Sequence, residues 1–247
     1  MGLIQLLFRD PTAFLILSVP LLYSIIIHEL AHGWIALRMG DMTAKWMGRL
    51  TFNPLRHLDP IGTLMLFIFG FGWAKPVPVN IGNMRNQRLG LVLTSAAGIT
   101  ANFIVAFISI FLLRLLQPDP AGTVATVLQV MAYINIILAA FNLIPIPPLD
   151  GSKILMGFLP SRIQELMARL EPFGFFIIIG LLYLGWLNPV IAFFKSVILG
   201  LIGVLLIAVA ITLAIETRSL LLGEAASPDA VQRVRDALDL SLIHISE

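Results

Sequence analysis

Apolar runs long enough to cross a bilayer recur along this chain and limit the folds that are open to it. They cover residues 11–39, 90–116, 123–143 and 190–215, with a shorter run at 173–187. A transmembrane helix needs about 20 apolar residues. Only 12% of the 247 residues are charged, about half the share in a soluble domain, so polar groups could not cover a water-soluble surface. We therefore predict an all-α polytopic membrane protein with about five transmembrane helices in a lipid bilayer.

The region near residues 41–80, between the first two spans, is predicted to be a short re-entrant or extended segment. Residues 60–72 are apolar, but 13 residues are too few to cross. Residues 46–52 are predicted to form a short hairpin. The sequence Lys-Pro-Val-Pro-Val-Asn at 75–80 is predicted to be extended, because its two prolines disfavour a helix.

The chain as a whole is predicted to consist of one intramembrane domain, residues 1–216, followed by a soluble tail, residues 217–247. Within that domain, an amphipathic helix is expected at 161–171, ahead of the run at 173–187. In the tail, residues 228–240 are expected to form another, and the final LSLIHISE is given no function because its character differs from the residues before it.

Lysine and arginine residues predict the orientation of the chain. Segment 40–89 holds six of them and segment 151–172 holds three, whereas loop 117–122 holds none. Because short cytoplasmic loops carry the excess of basic residues, the two basic segments and the tail are expected in the cytoplasm. The chain lacks a eukaryotic-type organisation, which favours a prokaryotic plasma membrane as its location.

Charge and cysteine content exclude several function classes. The net charge is only +2 and no basic block is present, which argues against a nucleic-acid partner. The chain has no cysteine, so disulfides, iron–sulfur clusters, thiolate zinc sites and cysteine nucleophiles are all excluded.

The first span contains the sequence His28-Glu29-Leu30-Ala31-His32. Residues four apart share one helix face, so both imidazoles can bind the same zinc ion. Glu29 lies about 100° further round the helix, where it can take a proton from water without binding the metal. Ionisable residues inside an apolar span are costly and need partners, which disfavours a chance match or histidines that merely bond within a bundle.

A catalytic zinc site usually has three protein ligands, and Asp150 is the best candidate for the third. It follows the third span in Asn142-Leu-Ile-Pro-Ile-Pro-Pro-Leu-Asp150-Gly151, whose prolines break the helix. The pattern equally fits an aspartate that caps a helix after a turn, and the residues alone do not decide between the two.

These motifs together resemble the site-2 protease family of intramembrane zinc metalloproteases, in a compact bacterial and archaeal branch without a PDZ domain. HELAH at 28–32 and NLIPIPPLDG at 142–151 carry the resemblance. Further matches are SAAGITAN at 95–102, GWAKPVPVN at 72–80 and NPLRHLDPIG at 53–62. They cover a catalytic core of about residues 20–160, and Ile99 departs from the family, which usually has proline there.

The resemblance implies that His28, His32 and Asp150 bind one zinc ion and that Glu29 is the general base. Asn102 and Asn142 are candidate catalytic residues, because an amide can hold an oxyanion or orient a substrate strand. Interhelical hydrogen bonds explain these two residues equally well.

Two further features each allow two interpretations, between which the sequence does not decide. His57 is either a second-sphere or gating residue or a histidine on a loop surface. The Lys75–Asn80 segment either offers an edge to a substrate strand or is a rigid loop.

The resemblance also implies substrates that are transmembrane segments of other proteins, as in regulated intramembrane proteolysis. Because His28 lies closer to the cytoplasmic end of the first span than to its other end, the active site is expected nearer the cytoplasmic side. Such a helix must unwind before its carbonyls can be attacked, so helix-weakening residues are expected near the cleavage site. The rival hypothesis is a membrane metal-binding or transport protein that uses the same His/Asp cluster. A transporter has no need of Glu29 beside the histidines, and the spans show no paired repeat.

Overall fold

The computed structural model describes residues 3–69, 72–221, 232, 233 and 235. Clustering divides the chain into two compact units, residues 1–200 and 201–247, and every site discussed below lies in the first. The helices that begin within the described residues are α1 (Leu3–Arg9), α2 (Pro11–Met39), α3 (Thr43–Trp46), α4 (Pro60–Phe69), α5 (Gln87–Leu116), α6 (Thr123–Asn142), α7 (Asp150–Phe158), α8 (Ser161–Tyr183) and α9 (Asn188–Leu221).

Five of these helices, α2, α5, α6, α8 and α9, are long and apolar enough to cross a membrane. The described residues contain no strand, and their only β-type pairing is an isolated bridge between Leu58 and Ala74. The prediction of an all-α polytopic membrane protein is therefore confirmed.

Helix α2 has the bounds that its terminal residues predict. Asp10 caps its start, since Oδ1 accepts a hydrogen bond from the Ala13 N–H at 2.9 Å, and Pro11 takes the first helical position. Gly40 ends it with a φ of +110°, a left-handed conformation that glycine adopts without strain. Both signals are local, which is why the sequence locates this helix so well.

Helices α2, α5 and α6 pack against one another and form the core of the first unit. These helices contain fully buried alanines such as Ala36, Ala106 and Ala139, whose small side chains let neighbouring segments approach closely. Asn135 of α6 donates from Nδ2 to Ser24 Oγ of α2 at 2.7 Å, and both side chains are fully buried. This polar contact fixes the register of α2, the helix that carries HELAH, against α6.

The loop between α6 and α7 is held closely from two sides. A Cβ on Gly151 would lie 2.3 Å from the carbonyl oxygen of Leu143. A Cβ on Gly174 of α8 would lie 2.2 Å from the carbonyl oxygen of Pro147. Ordinary side chains would not fit at either position, so these glycines let the surrounding helices clamp the loop that leads into Asp150.

Two local predictions are wrong. The predicted hairpin at 46–52 is instead helix α3 and a turn, in which Gly48 adopts a φ of +61° and the Arg49 N–H bonds back to the Ala44 carbonyl at 2.9 Å. The predicted helix at 161–171 and most of the separate run at 173–187 form the single helix α8, which continues through Pro172 and ends at Tyr183. A proline removes only one backbone donor, and a helix can continue past it.

Other predictions stay open. Residues 60–69 are helical, which leaves the re-entrant prediction for 60–72 untested. Helix α9 continues past residue 216 to Leu221. The predicted helix at 228–240 lies outside the described residues apart from 232, 233 and 235, and LSLIHISE lies outside them entirely.

Candidate metal centre

His28 and His32 lie on one face of α2, and their Nε2 atoms are 3.0 Å apart. Their side chains are only 10% and 12% exposed. The carboxylate of Asp150, at the start of α7, completes the group, because its Oδ2 lies 3.2 Å from Nε2 of each histidine. The structure thus brings together the three residues that were predicted to bind zinc.

The other ring nitrogen of each histidine is held by α5. Nδ1 of His28 lies 3.1 Å from Oδ1 of Asn102, and Nδ1 of His32 lies 2.7 Å from the Thr94 carbonyl oxygen. Both acceptors require the proton on Nδ1, so the lone pair of each Nε2 faces the cluster. Such second-sphere bonds orient imidazoles for a metal.

The donor set fits a zinc ion. Two imidazole lone pairs and an anionic oxygen face one another at 3.0–3.2 Å, an arrangement that is repulsive without a cation. Oδ2 of Asp150 is buried and has no hydrogen-bond partner among the described residues. Ligands about 2.0–2.1 Å from a tetrahedral zinc are about 3.3 Å apart, close to the separations found here.

Gly98 of α5 leaves room for these rings. A Cβ at this position would lie 2.5 Å from Cε1 of His28 and 2.6 Å from both Cε1 and Nε2 of His32. Only the absence of a side chain therefore allows α5 to approach the two imidazoles so closely.

Glu29 lies beside the cluster without joining it. Its carboxylate is half-buried and lines the same cavity as the three clustered residues. One oxygen, Oε2, accepts a hydrogen bond from the Val77 backbone N–H at 2.7 Å. The second oxygen is left to interact with water or substrate in the cavity.

The cavity has a volume of about 980 Å³, large enough for several residues of an extended peptide. It is bounded by α2, α5 and α7, by the segment around 73–81, and by the first half of α8. The polar and charged residues that line it outside the cluster include Thr94, Ser95, Asn142, Lys153, Gln164, Glu165 and Glu171. Lys153 pairs with Glu171 at 3.7 Å, on partly exposed side chains.

The segment 75–80 is tied to the end of α2 by Asp41. Oδ2 of this fully buried carboxylate accepts from the Asn80 N–H at 2.7 Å, and Oδ1 accepts from the Asn83 side chain at 3.0 Å and from Thr43. Burial by itself raises the pKa of the Asp41 carboxyl, but these donors outweigh it and hold the pKa below its usual value.

The remaining predicted residues fall in different places. Asn102 is fully buried and makes the interhelical bond to His28. Asn142 lines the cavity and donates from Nδ2 to the Leu138 carbonyl of its own helix at 3.0 Å. A contact with substrate stays a prediction for both amides.

His57 is fully buried, so the loop-surface alternative is wrong. Its Nε2 donates to the Thr51 carbonyl at 2.7 Å. Residues 75–80 belong to no helix or strand, and the backbone of Asn80 is extended, so an extended conformation over the rest of this segment stays a prediction.

Sequence reasoning missed the partners that surround the centre. The Thr94 carbonyl and the Val77 N–H are backbone groups, which no side-chain pattern can indicate. Gly98 lies within a recognised motif, but its role depends on the distance between α2 and α5. Arg49 was counted only as a basic loop residue, although its side chain is buried.

Comparison with known proteins supports the same conclusion. Residues 118–185 match the family described as peptidase family M50. YwhC of Bacillus subtilis (strain 168) is 41% identical over 168 residues, which are 65% of this chain and 77% of that protein. Rip2 of Mycolicibacterium smegmatis is 30% identical over 182 residues, 71% of this chain and 69% of that protein.

A more distant similarity comes from an archaeon. MJ0611 of Methanocaldococcus jannaschii is 28% identical over 136 residues, 53% of this chain and 63% of that protein. The words "zinc metalloprotease" stand in the names of all three relatives. No solved structure matches the chain.

Proposed function

This chain belongs to peptidase family M50 and is an intramembrane zinc metalloprotease, and we propose that His28, His32 and Asp150 hold its zinc ion while Glu29 is the general base. The observation that carries the proposal is the convergence of the two Nε2 atoms and Oδ2 of Asp150 at 3.0–3.2 Å. Each of these atoms is an ordinary zinc ligand.

A zinc ion held by these three residues would lower the pKa of a water molecule toward neutrality and would polarise the scissile carbonyl. The protein residues orient and move protons around it. Asn102 and the Thr94 carbonyl hold the imidazoles in the ligand tautomer. Glu29 takes a proton from the attacking water and passes it to the leaving amine, a role that its place in the cavity beside the ligands supports.

The substrates that fit this site are transmembrane segments of other proteins. Five apolar helices place the chain in the bilayer, and the cavity is bounded by α2 and by the first half of α8, both of which are candidate spans. A substrate helix buries its carbonyls in its own hydrogen bonds, so it has to unwind locally before one of them can be attacked by the water beside Glu29.

The proposed location is a prokaryotic plasma membrane, with the active site nearer the cytoplasm. The nine basic residues of segments 40–89 and 151–172 support this orientation. The proposed domain organisation, residues 1–216 in the membrane with a cytoplasmic tail at 217–247, rests on the end of the last apolar run at residue 215 for its boundary and on the same rule for the side of the tail.

Metal transport through the same cluster is not favoured. The relatives are named as zinc metalloproteases, and Glu29 lines the cavity beside the three converging ligands without being one of them. A transport site has no use for a base in that position.

The test compares wild type with Glu29→Gln in detergent-purified protein that is given a model transmembrane substrate. We expect wild type to cleave the substrate and the variant to lose cleavage while it keeps its zinc, because Gln cannot accept the proton. Cleavage at the wild-type rate by the variant would remove Glu29 as the base.

A further inference from the structure

The loop from Arg49 to His57 holds both backbone groups of Lys75. Arg49 donates from Nη2 to the Lys75 carbonyl at 2.8 Å, and the Lys75 N–H donates to the His57 carbonyl at 2.8 Å. The bond from His57 Nε2 to the Thr51 carbonyl, 2.7 Å long, closes the loop on itself. Position 75 is therefore fixed by a loop that is itself rigid.

Arg49 is an unusual residue for such a role. Its side chain is only 5% exposed, it forms no ion pair with any described residue, and its Nε has no hydrogen-bond partner there. Burial of a cation without a counter-charge is costly. A neutral residue of the same size would fill the space at lower cost, so the contact with the Lys75 carbonyl is what Arg49 contributes.

The effect of this contact reaches the active site through two residues. Pro76 fixes its own φ, so the place of the Lys75 carbonyl sets the direction of the next peptide. That peptide carries the Val77 N–H, which lies 2.7 Å from Oε2 of Glu29. At the far end, Asp41 holds the Asn80 N–H at 2.7 Å. The segment is thus anchored at both ends and touches Glu29 in the middle.

We propose that Arg49 is a positioning residue for the general base: it holds the Lys75 carbonyl, which places the Val77 N–H, which fixes the Glu29 carboxylate. This inference rests on the proposed role of Glu29. It assigns Arg49 no contact with the substrate, the zinc ligands or the reacting atoms.

The first experiment compares Arg49→Met with Arg49→Lys in the full-length, zinc-loaded protein. Met removes the donor and the buried charge, so folding should not suffer, whereas Lys keeps one donor. We expect kcat of the Met variant to fall about 10–100-fold, with KM and zinc content unchanged and thermal stability not lowered. Arg49→Lys should recover part of the kcat. Arg56→Gln, on the exposed next turn of the same loop, is the matched control.

The second experiment removes the N–H without touching Arg49. Val77→Pro lacks the donor, and Val77→Ala keeps it. We expect kcat for Val77→Pro to fall about as far as for Arg49→Met and to be well below that of Val77→Ala. Because both changes act through one contact, the double variant Arg49→Met/Val77→Pro should be no slower than the slower single variant.

Several results would overturn the inference. They are an unchanged kcat in Arg49→Met, a loss of activity that accompanies a loss of zinc or of thermal stability, and additive losses in the double variant. Failure of the proposed function can be distinguished from failure of this inference. In that case Glu29→Gln would cleave the substrate at the wild-type rate, whatever the results for the Arg49 variants.

Discussion

The substitution Gly98→Ala tests the metal centre with a single methyl group. The new Cβ would lie 2.5 Å from Cε1 of His28 and 2.6 Å from Cε1 and Nε2 of His32. Non-bonded carbon atoms normally approach to about 3.5–4.0 Å, so each contact is about 1 Å too short. Either the two imidazoles or the whole of α5 must move by about this distance.

A displacement of this size is large for a zinc site. Metal–ligand distances in functional sites stay within about 0.2 Å of their standard values. Loss of one residue that hydrogen-bonds to a ligand costs about 10–100-fold in metal affinity by itself. Because Gly98→Ala disturbs both histidines at once, we expect zinc affinity to fall at least about 100-fold, or about 2.7 kcal/mol.

The assay is competition for zinc between the detergent-purified protein and a chromogenic chelator, with substrate cleavage measured in parallel. Gly180→Ala is the matched control, because a Cβ there meets no heavy atom within 4 Å and a helical alanine is slightly stabilising. The control should bind zinc like wild type. Wild-type zinc affinity in Gly98→Ala would refute the argument that α5 lies too close to the two imidazoles to leave room for a Cβ.

Two further predictions concern the substrate and the segment beside Glu29. A transmembrane substrate with Gly or Pro added near its cleavage site should be cut faster than one with Leu and Ala there, because it unwinds more easily; equal rates, measured by gel, would contradict the requirement for unwinding. Asp41→Asn should lower the free energy of unfolding in detergent at pH 7 by about 1–3 kcal/mol, because it removes a carboxylate that accepts buried hydrogen bonds. The change is measured as a lower unfolding temperature. Since the pKa of Asp41 is lowered in the folded state, this stabilisation is fully present above the unfolded-state pKa of about 4 and is lost as the pH falls through the folded-state pKa; equal unfolding temperatures at pH 7 would refute it.

The parts that could be predicted from sequence depend on local signals. The bounds of α2 follow from a capping Asp10, a first-turn Pro11 and a terminal Gly40. The HELAH spacing places two imidazoles on one helix face wherever that helix lies. Asp150 needed the family resemblance, because a turn with a capping aspartate has the same residue pattern.

Two local predictions failed at residues whose backbone conformation the sequence does not decide. The hairpin at 46–52 was wrong because Gly48, which adopts a left-handed conformation, ends a short helix there. The helix at 161–171 and the apolar run at 173–187 were predicted as separate elements, yet α8 continues from one into the other through Pro172.

The contacts around the candidate metal centre could not be predicted because they depend on packing between segments that are distant in the sequence. Those of Arg49 and Val77 join residues 26 and 48 positions apart in the chain. Because Arg49 donates to a carbonyl and Val77 donates from its backbone, no side-chain pattern in the sequence reveals either bond.

The zinc content of purified wild type, Asp150→Asn and Glu29→Gln tests the central claim most directly. The account predicts one zinc ion per chain in wild type and in Glu29→Gln. In Asp150→Asn it predicts little or none, because an amide oxygen replaces the carboxylate that lies 3.2 Å from both imidazoles. A full complement of zinc in Asp150→Asn would contradict the assignment of Asp150 as the third ligand.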